Sequence, residues 1–170
     1  MLILALILFM SALLLLWYSG RQRKVLGLPA GRIISTDTRK WAPVEQALYD
    51  AETGLTGRPD YLFEQSGKLI PVEVKSQRVG AGPYDAHLYQ LAAYCLLVHR
   101  SYGKRPDYGI LHYPNRTYAV GYTPKLEAEL LSLIEETRLL GRRKEPKRSH
   151  ESIQRCQSCG FRSICDQRLL

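Results

Sequence analysis

The chain reads as a single α/β domain, a small mixed β-sheet flanked by helices, behind an N-terminal apolar segment. Three observations lead there. Two β-rich runs, residues 58–64 and 69–75, are joined by the short Gly-containing loop Gln65-Ser66-Gly67-Lys68. Two stretches, 84–100 and 124–140, carry apolar residues at helical spacing and stop at or just before Gly103 and Gly141. A second strand pair, 108–113 and 117–122, lies between them, and this mixture is satisfied by layers of helix on sheet. A length of 170 residues with 45% hydrophobic and 24% charged side chains supports one core, and excludes a disordered, collagen-like or disulfide-scaffold protein.

Residues 2–18 hold no charge and a single polar interruption, Ser11. As a helix the run is roughly 25 Å long, enough to cross a bilayer once Trp17 and Tyr18 sit at the interface. No basic residue precedes it and no small-x-small cleavage pattern follows, which disfavours a cleaved signal peptide. Arg21, Arg23 and Lys24 follow instead, and positive charge retains that side of a span in the cytoplasm. The expectation is a single-pass transmembrane anchor over 1–19 with the soluble domain facing the cytoplasm; a buried core helix is the alternative. The hydrophilic remainder excludes a multi-span protein.

A basic connector, 20–31, contains Gly27, Pro29 and Gly31 and leads into a core spanning 32–141. Within it, 32–36 reads as a short strand and 40–54 has a weak helical signal. The hairpin over 58–75 follows, then Gly80, Gly82 and Pro83 break the pattern before a helix with Leu88, Leu91, Ala92, Cys95 and Val98 on one side. Pro114-Asn115 turns the next two strands, and Pro124 opens a helix carrying Leu126, Leu130, Leu133, Ile134 and Leu140. Residues 142–170 form a basic linker and a cysteine-bearing C-terminal segment.

The net charge of +8 is concentrated at the two ends. Residues 21–40 carry six basic side chains against Asp37, residues 138–170 carry nine against Glu145, Glu151 and Asp166, and the middle has nine against twelve acidic ones. The first block suits a membrane surface. The second, Arg142, Arg143, Lys144, Lys147 and Arg148, suits either a nucleic-acid channel or a solvated linker.

Chemistry concentrates in Pro71-Val-Glu-Val-Lys75. Glu73 and Lys75 lie two apart on a strand and share a face, while Val72 and Val74 point to the other. Asp60 on the preceding hairpin strand supplies a second carboxylate, and the Val74 carbonyl a third oxygen, for a hard divalent cation. A cation so held polarises a phosphodiester and acidifies bound water, with the lysine ammonium beside the developing charge. A cross-strand ion pair is the competing reading of Glu73 and Lys75. The helix then sets His87, Gln90 and Tyr94 at i, i+3 and i+7, a face fit to meet a sugar-phosphate chain.

The order Gly57-Arg-Pro-Asp60, Ile70-Pro-Val-Glu73-Val-Lys75, Gln90-Leu-Ala-Ala-Tyr94 and Cys156-x2-Cys159-x5-Cys165 resembles the RecB-like branch of the PD-(D/E)xK nucleases, in particular the CRISPR-associated iron-sulfur exonucleases. The resemblance spans about residues 32–166 and implies a restriction-endonuclease-like core. It further implies Asp60 and Glu73 as metal ligands, Lys75 as the catalytic lysine, Gln90 and Tyr94 as DNA contacts, Mg2+ or Mn2+ as cofactor, and single-stranded DNA ends as substrate. That family's first-helix histidine and first cluster cysteine have no counterpart, since residues 1–44 contain neither residue type. A nuclease-fold module that binds DNA or protein at the membrane without turnover is therefore the second reading.

Three of four cysteines fall in the last 15 residues. In a reducing compartment such spacing favours a metal centre over disulfides. Cys156, Cys159 and Cys165 suit a 4Fe-4S cluster, with zinc or no centre as alternatives, and the centre would be structural. Cys95 reads as a core thiol, and His150 as a speculative fourth donor.

Overall fold

The computed structural model describes residues 9–11, 32–33, 38–143 and 147–169. They divide into two compact units, one within Met1–Ser132 and one within Leu133–Leu170. Most of the apolar run 2–18 lies outside the described residues, apart from the helical residues 9–11. Among the described residues no helix is long and apolar enough to cross a membrane.

The first unit is built on a six-stranded sheet. Its strands are β1 (Arg32–Ile33), β2 (Trp41–Pro43), β5 (Tyr61–Gln65), β6 (Lys68–Val74), β7 (Tyr108–Tyr113) and β8 (Arg116–Gly121), in the spatial order β1-β8-β7-β6-β5-β2. A separate hairpin pairs β3 (Leu48–Asp50) with β4 (Leu55–Gly57). Every pairing is antiparallel except β6 with β7, and a parallel pair requires a long crossover. Helix α1 (Asp85–Tyr102) supplies it. The strand nearest the chemistry thus has partners on both sides.

The weak helical signal over 40–54 is overturned. Thr38–Lys40 make one 3-10 turn, and β2 and β3 occupy the stretch. β2 is recruited by pairing with β5, Trp41 opposite Phe63, so tertiary contacts override a weak local preference. The β3–β4 reversal is closed by the Asp50 carboxylate, whose Oδ2 accepts from the Thr53 amide at 3.0 Å and the Thr53 hydroxyl at 2.5 Å.

Between β5 and β6, Ser66 and Gly67 have φ of 51° and 70°, the two consecutive left-handed residues of a type I′ turn whose twist matches the flanking strands. The register follows, with Gln65 opposite Lys68 and Tyr61 opposite Val72. α1 ends at Gly103, φ 71°, whose amide returns to the His99 carbonyl. Its buried side is broad, Leu88, Leu91, Ala92, Cys95, Leu96, Leu97 and Val98, because the main sheet and the β3–β4 hairpin both pack on it. On the other face of the sheet Ile70, Val72 and Ile110 form a core edged by Trp41, Tyr61, Phe63 and Tyr108.

Helix α2 (Pro124–Gly141) starts with proline in its first turn, and Thr123 caps it by accepting from the Leu126 amide at 3.2 Å. Of its apolar positions Leu126 and Leu130 are buried, whereas Leu133 and Leu140 are exposed. In the second unit α3 (Ile153–Gln157) is capped by Ser152, which accepts from the Arg155 amide. The Arg148 guanidinium gathers the Glu151 carboxylate and the carbonyls of His150 and Gln167. That cation therefore serves as a clasp within its own unit.

Candidate active site

Asp60 sits in the bend just before β5, one step beyond the Tyr61–Val72 pair, so it stands across from Glu73. Its Oδ2 accepts from the Val74 amide at 2.7 Å, which ties the end of β6 to the approach of β5. Lys75 follows the last residue of β6, and its amide continues the parallel ladder by donating to the His112 carbonyl at 2.8 Å. Alternation then carries Glu73 and Lys75 to the face covered by α1, the face where an added Cβ on Gly109 would meet Leu91 at 2.7 Å.

Four side chains close a network there. Lys75 Nζ donates to Glu73 Oε1 at 2.8 Å and to Gln90 Oε1 at 2.6 Å. Gln90 Nε2 donates to Glu73 Oε1 and to the Tyr94 hydroxyl, each at 2.9 Å. An ammonium can only donate, so it selects the Gln90 oxygen and turns the amide nitrogen toward Glu73. The helical spacing that brings Gln90 and Tyr94 onto one face thus becomes a direct contact with the carboxylate on the sheet. Gly57 admits the tyrosine, since a Cβ there would lie 2.9 Å from Tyr94 Cε1.

Glu73 is 6% exposed, and its pKa is raised by burial and by the neighbouring Asp60 carboxyl, against the lowering effect of Lys75. Two carboxyls thus converge, and among the described residues the N–H donors reach Asp60 Oδ2 and Glu73 Oε1, leaving the second oxygen of each without one. This donor set, all oxygen and doubly anionic, fits a hard divalent cation held by Asp60, Glu73 and the Val74 carbonyl. Among the described residues no three His, Cys, Asp or Glu side chains are grouped to hold a metal, so the set stops at two carboxylates. Burial raises the Tyr94 pKa, and the phenol is neutral at physiological pH.

His87 is on the same helix face but joins a different cluster. Its Nδ1 lies 2.8 Å from the Tyr113 hydroxyl and its Nε2 3.4 Å from Gln77 Nε2. Tyr113 and Gln77 gave no signal in the sequence, because 26 and 10 residues separate them from His87 and only the fold joins them.

The cysteines are dispersed in burial: Cys156 is buried, Cys159 exposed and Cys165 half-buried. Cys156 Sγ accepts from the Leu169 amide at 3.4 Å. As placed, the three thiols do not converge on a shared centre. Cys95 is a core thiol, 1% exposed, with its pKa driven upward by burial.

No curated protein matches the chain. Among solved structures, one described as the crystal structure of SSO0001 is 22% identical with a TM-score of 0.48, covering 95% of this chain and 71% of that one. The family model for the PD-(D/E)XK nuclease superfamily matches residues 5–166, which include Pro59-Asp60 and Glu73-Val74-Lys75. With that match over nearly its whole length, the chain belongs to the PD-(D/E)XK nuclease superfamily.

Proposed function

We propose that this chain is a divalent-metal-dependent DNA exonuclease acting on single-stranded ends, with Asp60, Glu73 and Lys75 as its catalytic residues and Gln90 and Tyr94 as DNA contacts. Members of the superfamily are usually nucleases and use cations such as Mg2+ or Mn2+. The observation that carries the reading is the closed Lys75–Glu73–Gln90–Tyr94 network beside the Asp60 carboxyl. A bound cation would supply Lewis acidity and a more acidic water. Lys75, 16% exposed and fixed between two oxygens, brings a positive charge to where the attacked phosphate gains negative charge. Gln90 sets the orientation of both partners, and Tyr94, which accepts from Gln90, keeps its own hydroxyl hydrogen for the strand.

The preference for single-stranded ends and the exonuclease mode rest on the resemblance of the four motifs. Tethering through residues 2–18 rests on their apolar length and on the basic residues that follow; the family match begins at residue 5, so the two assignments overlap. Carbonate extraction of membranes holding the full chain, against a chain starting at residue 25, tests the tether. The Cys-x2-Cys-x5-Cys spacing supports a thiolate centre, but the placed thiols do not form one, and no catalytic step is routed through them. Iron, sulfide and zinc analysis after anaerobic purification decides its presence.

The deciding assay measures degradation of end-labelled single-stranded DNA with Mg2+ or Mn2+. Lys75→Ala and Asp60→Ala are each expected to lower kcat by about a hundredfold or more, the scale of losing one transition-state charge partner. Full activity in either variant overturns the site. Among the described residues two carboxylates pair without a third, which favours a second reading, a DNA-binding module without turnover that predicts retention of DNA and no cleavage with any cation.

A further inference from the structure

We propose that Arg58 and the Tyr94 hydroxyl grip one phosphate of a single-stranded DNA chain beside the scissile one, forming a clamp on the rim of the carboxylate site. The inference rests on the nucleic-acid reading of that site and adds to it the cation that holds the strand. The charges already present ask for one. Asp60 and Glu73 bring two carboxyls, and Lys75 is engaged by Glu73 and the Gln90 oxygen. A phosphate entering beside them is repelled unless a further cation faces it. The Arg58 guanidinium is exposed and, among the described residues, enters no hydrogen bond or ion pair, so its five N–H donors are open.

Its backbone is fixed although its side chain is free. Pro59 is fully buried and a residue before proline is confined to extended backbone, so the exposed Arg58 and Asp60 flank an anchored ring. The Asp60 carbonyl accepts from the Val44 amide at 3.3 Å, which holds this approach to β5. On the other side Gly57 runs against the tyrosine, since a Cβ there would lie 2.9 Å from Tyr94 Cε1. Burial raises the Tyr94 pKa while the Gln90 hydrogen bond and the Arg58 charge pull it down, which puts the guanidinium within electrostatic reach of the hydroxyl. That hydroxyl accepts from Gln90 Nε2 at 2.9 Å and, among the described residues, gives its hydrogen to no acceptor. A forked guanidinium beside a free O–H is a donor set for phosphate oxygens. The far side of Lys75 is built differently. There the loop is fastened to the β7–β8 turn: Asn115 donates to the Val79 carbonyl at 2.7 Å and accepts from its amide at 3.0 Å, and Arg116 donates to the Gly80 carbonyl at 3.0 Å. Arg116 is thereby taken up by the fold, whereas Arg58 is not.

The test uses the full-length chain and single-stranded oligonucleotides carrying one neutral methylphosphonate at each position in turn. Binding is read by anisotropy in EDTA and cleavage with Mn2+. Arg58→Ala is expected to raise Kd and KM by about tenfold or more, one charge-assisted hydrogen bond, with the loss falling on KM rather than kcat. The slope of log affinity against log salt should shrink by about 0.7, one phosphate contact on a single strand. Arg58→Lys should keep the slope and recover only part of the affinity, because a point charge replaces a fork, and Arg58→Gln should lose both. At one position the methylphosphonate should weaken the wild-type chain and leave Arg58→Ala no weaker still, and Tyr94→Phe should couple to that same position. Lys104→Ala removes a charge near the β5–β6 turn, where the ammonium donates to the Gly67 carbonyl at the other end of β6 from Lys75, and should leave Kd within about twofold. Wild-type affinity and slope in Arg58→Ala, an equal loss in Lys104→Ala, or additive losses at every position would each overturn the clamp and leave the nuclease reading in place. Should Arg58→Ala fail to fold, the Lys and Gln variants carry the same comparison. Coupled binding without cleavage would leave the clamp standing and remove the nuclease reading instead, and no DNA binding by the wild type would remove both.

Discussion

With its oxygen on Lys75 and its nitrogen shared between Glu73 and Tyr94, the Gln90 carboxamide has one acceptable orientation. Gln90→Leu keeps the bulk and removes all three bonds, leaving Glu73 and Lys75 to hold each other alone. We expect kcat to fall about tenfold to a hundredfold, the usual cost of loosening a supporting contact, with Tm changed little because the site is at the edge of the core. Asp50 offers a separate check at the same scale. Its carboxylate is held below the ordinary range chiefly by the Thr53 hydroxyl, so the folded pKa lies under the unfolded one. Stability from this group is complete above the unfolded pKa and disappears as pH falls through the folded one. Asp50→Asn should therefore be about 1–2 kcal/mol less stable at neutral pH, with the gap in denaturant midpoints closing toward pH 3. That Glu73 and Lys75 meet on one side of the sheet was legible in the sequence because alternate residues on a strand share a face, and that Asp60 stands across from Glu73 followed from the hairpin. The surroundings of His87 were not, because three chain segments build them.

At the scale of elements, α1 crosses β7 so closely that Gly109 leaves no room for a side chain. A methyl group on Gly109 would strike three atoms of Leu91 at 2.7 to 2.9 Å, and Leu91 is 1% exposed with nowhere to retreat. Gly109→Ala is expected to cost about 1–3 kcal/mol in chemical denaturation. Adding Leu91→Ala should recover part of that, making the pair non-additive. Most elements were visible in advance for local reasons: a glycine-containing two-residue turn, a proline opening a helix, a glycine closing one. The stretch 40–54 was not. Its strands owe their form to β5 and to the Asp50–Thr53 reversal, and neither is encoded in short-range periodicity.

For the whole molecule, the strand order places β6 between an antiparallel and a parallel neighbour, so the carboxylate and ammonium project from a strand fixed on both sides. A parallel neighbour reached through an 18-residue helix brings sequence-distant Gln90 to Glu73. The α/β class was legible from alternating elements; the crossover that assembles the site became visible only in three dimensions. The basicity assigned to the ends is partly structural, since Arg148 is engaged by Glu151.

The Asn115 carboxamide treats Val79 as a neighbouring strand would, satisfying both its amide and its carbonyl from a side chain. A loop so fastened should exchange its amide hydrogen for deuterium slowly even though the residues before it, 76–78, face water. Asn115→Ser should release that protection at Val79 by about tenfold or more while the interior of α1 keeps its own, a local opening detectable by mass spectrometry.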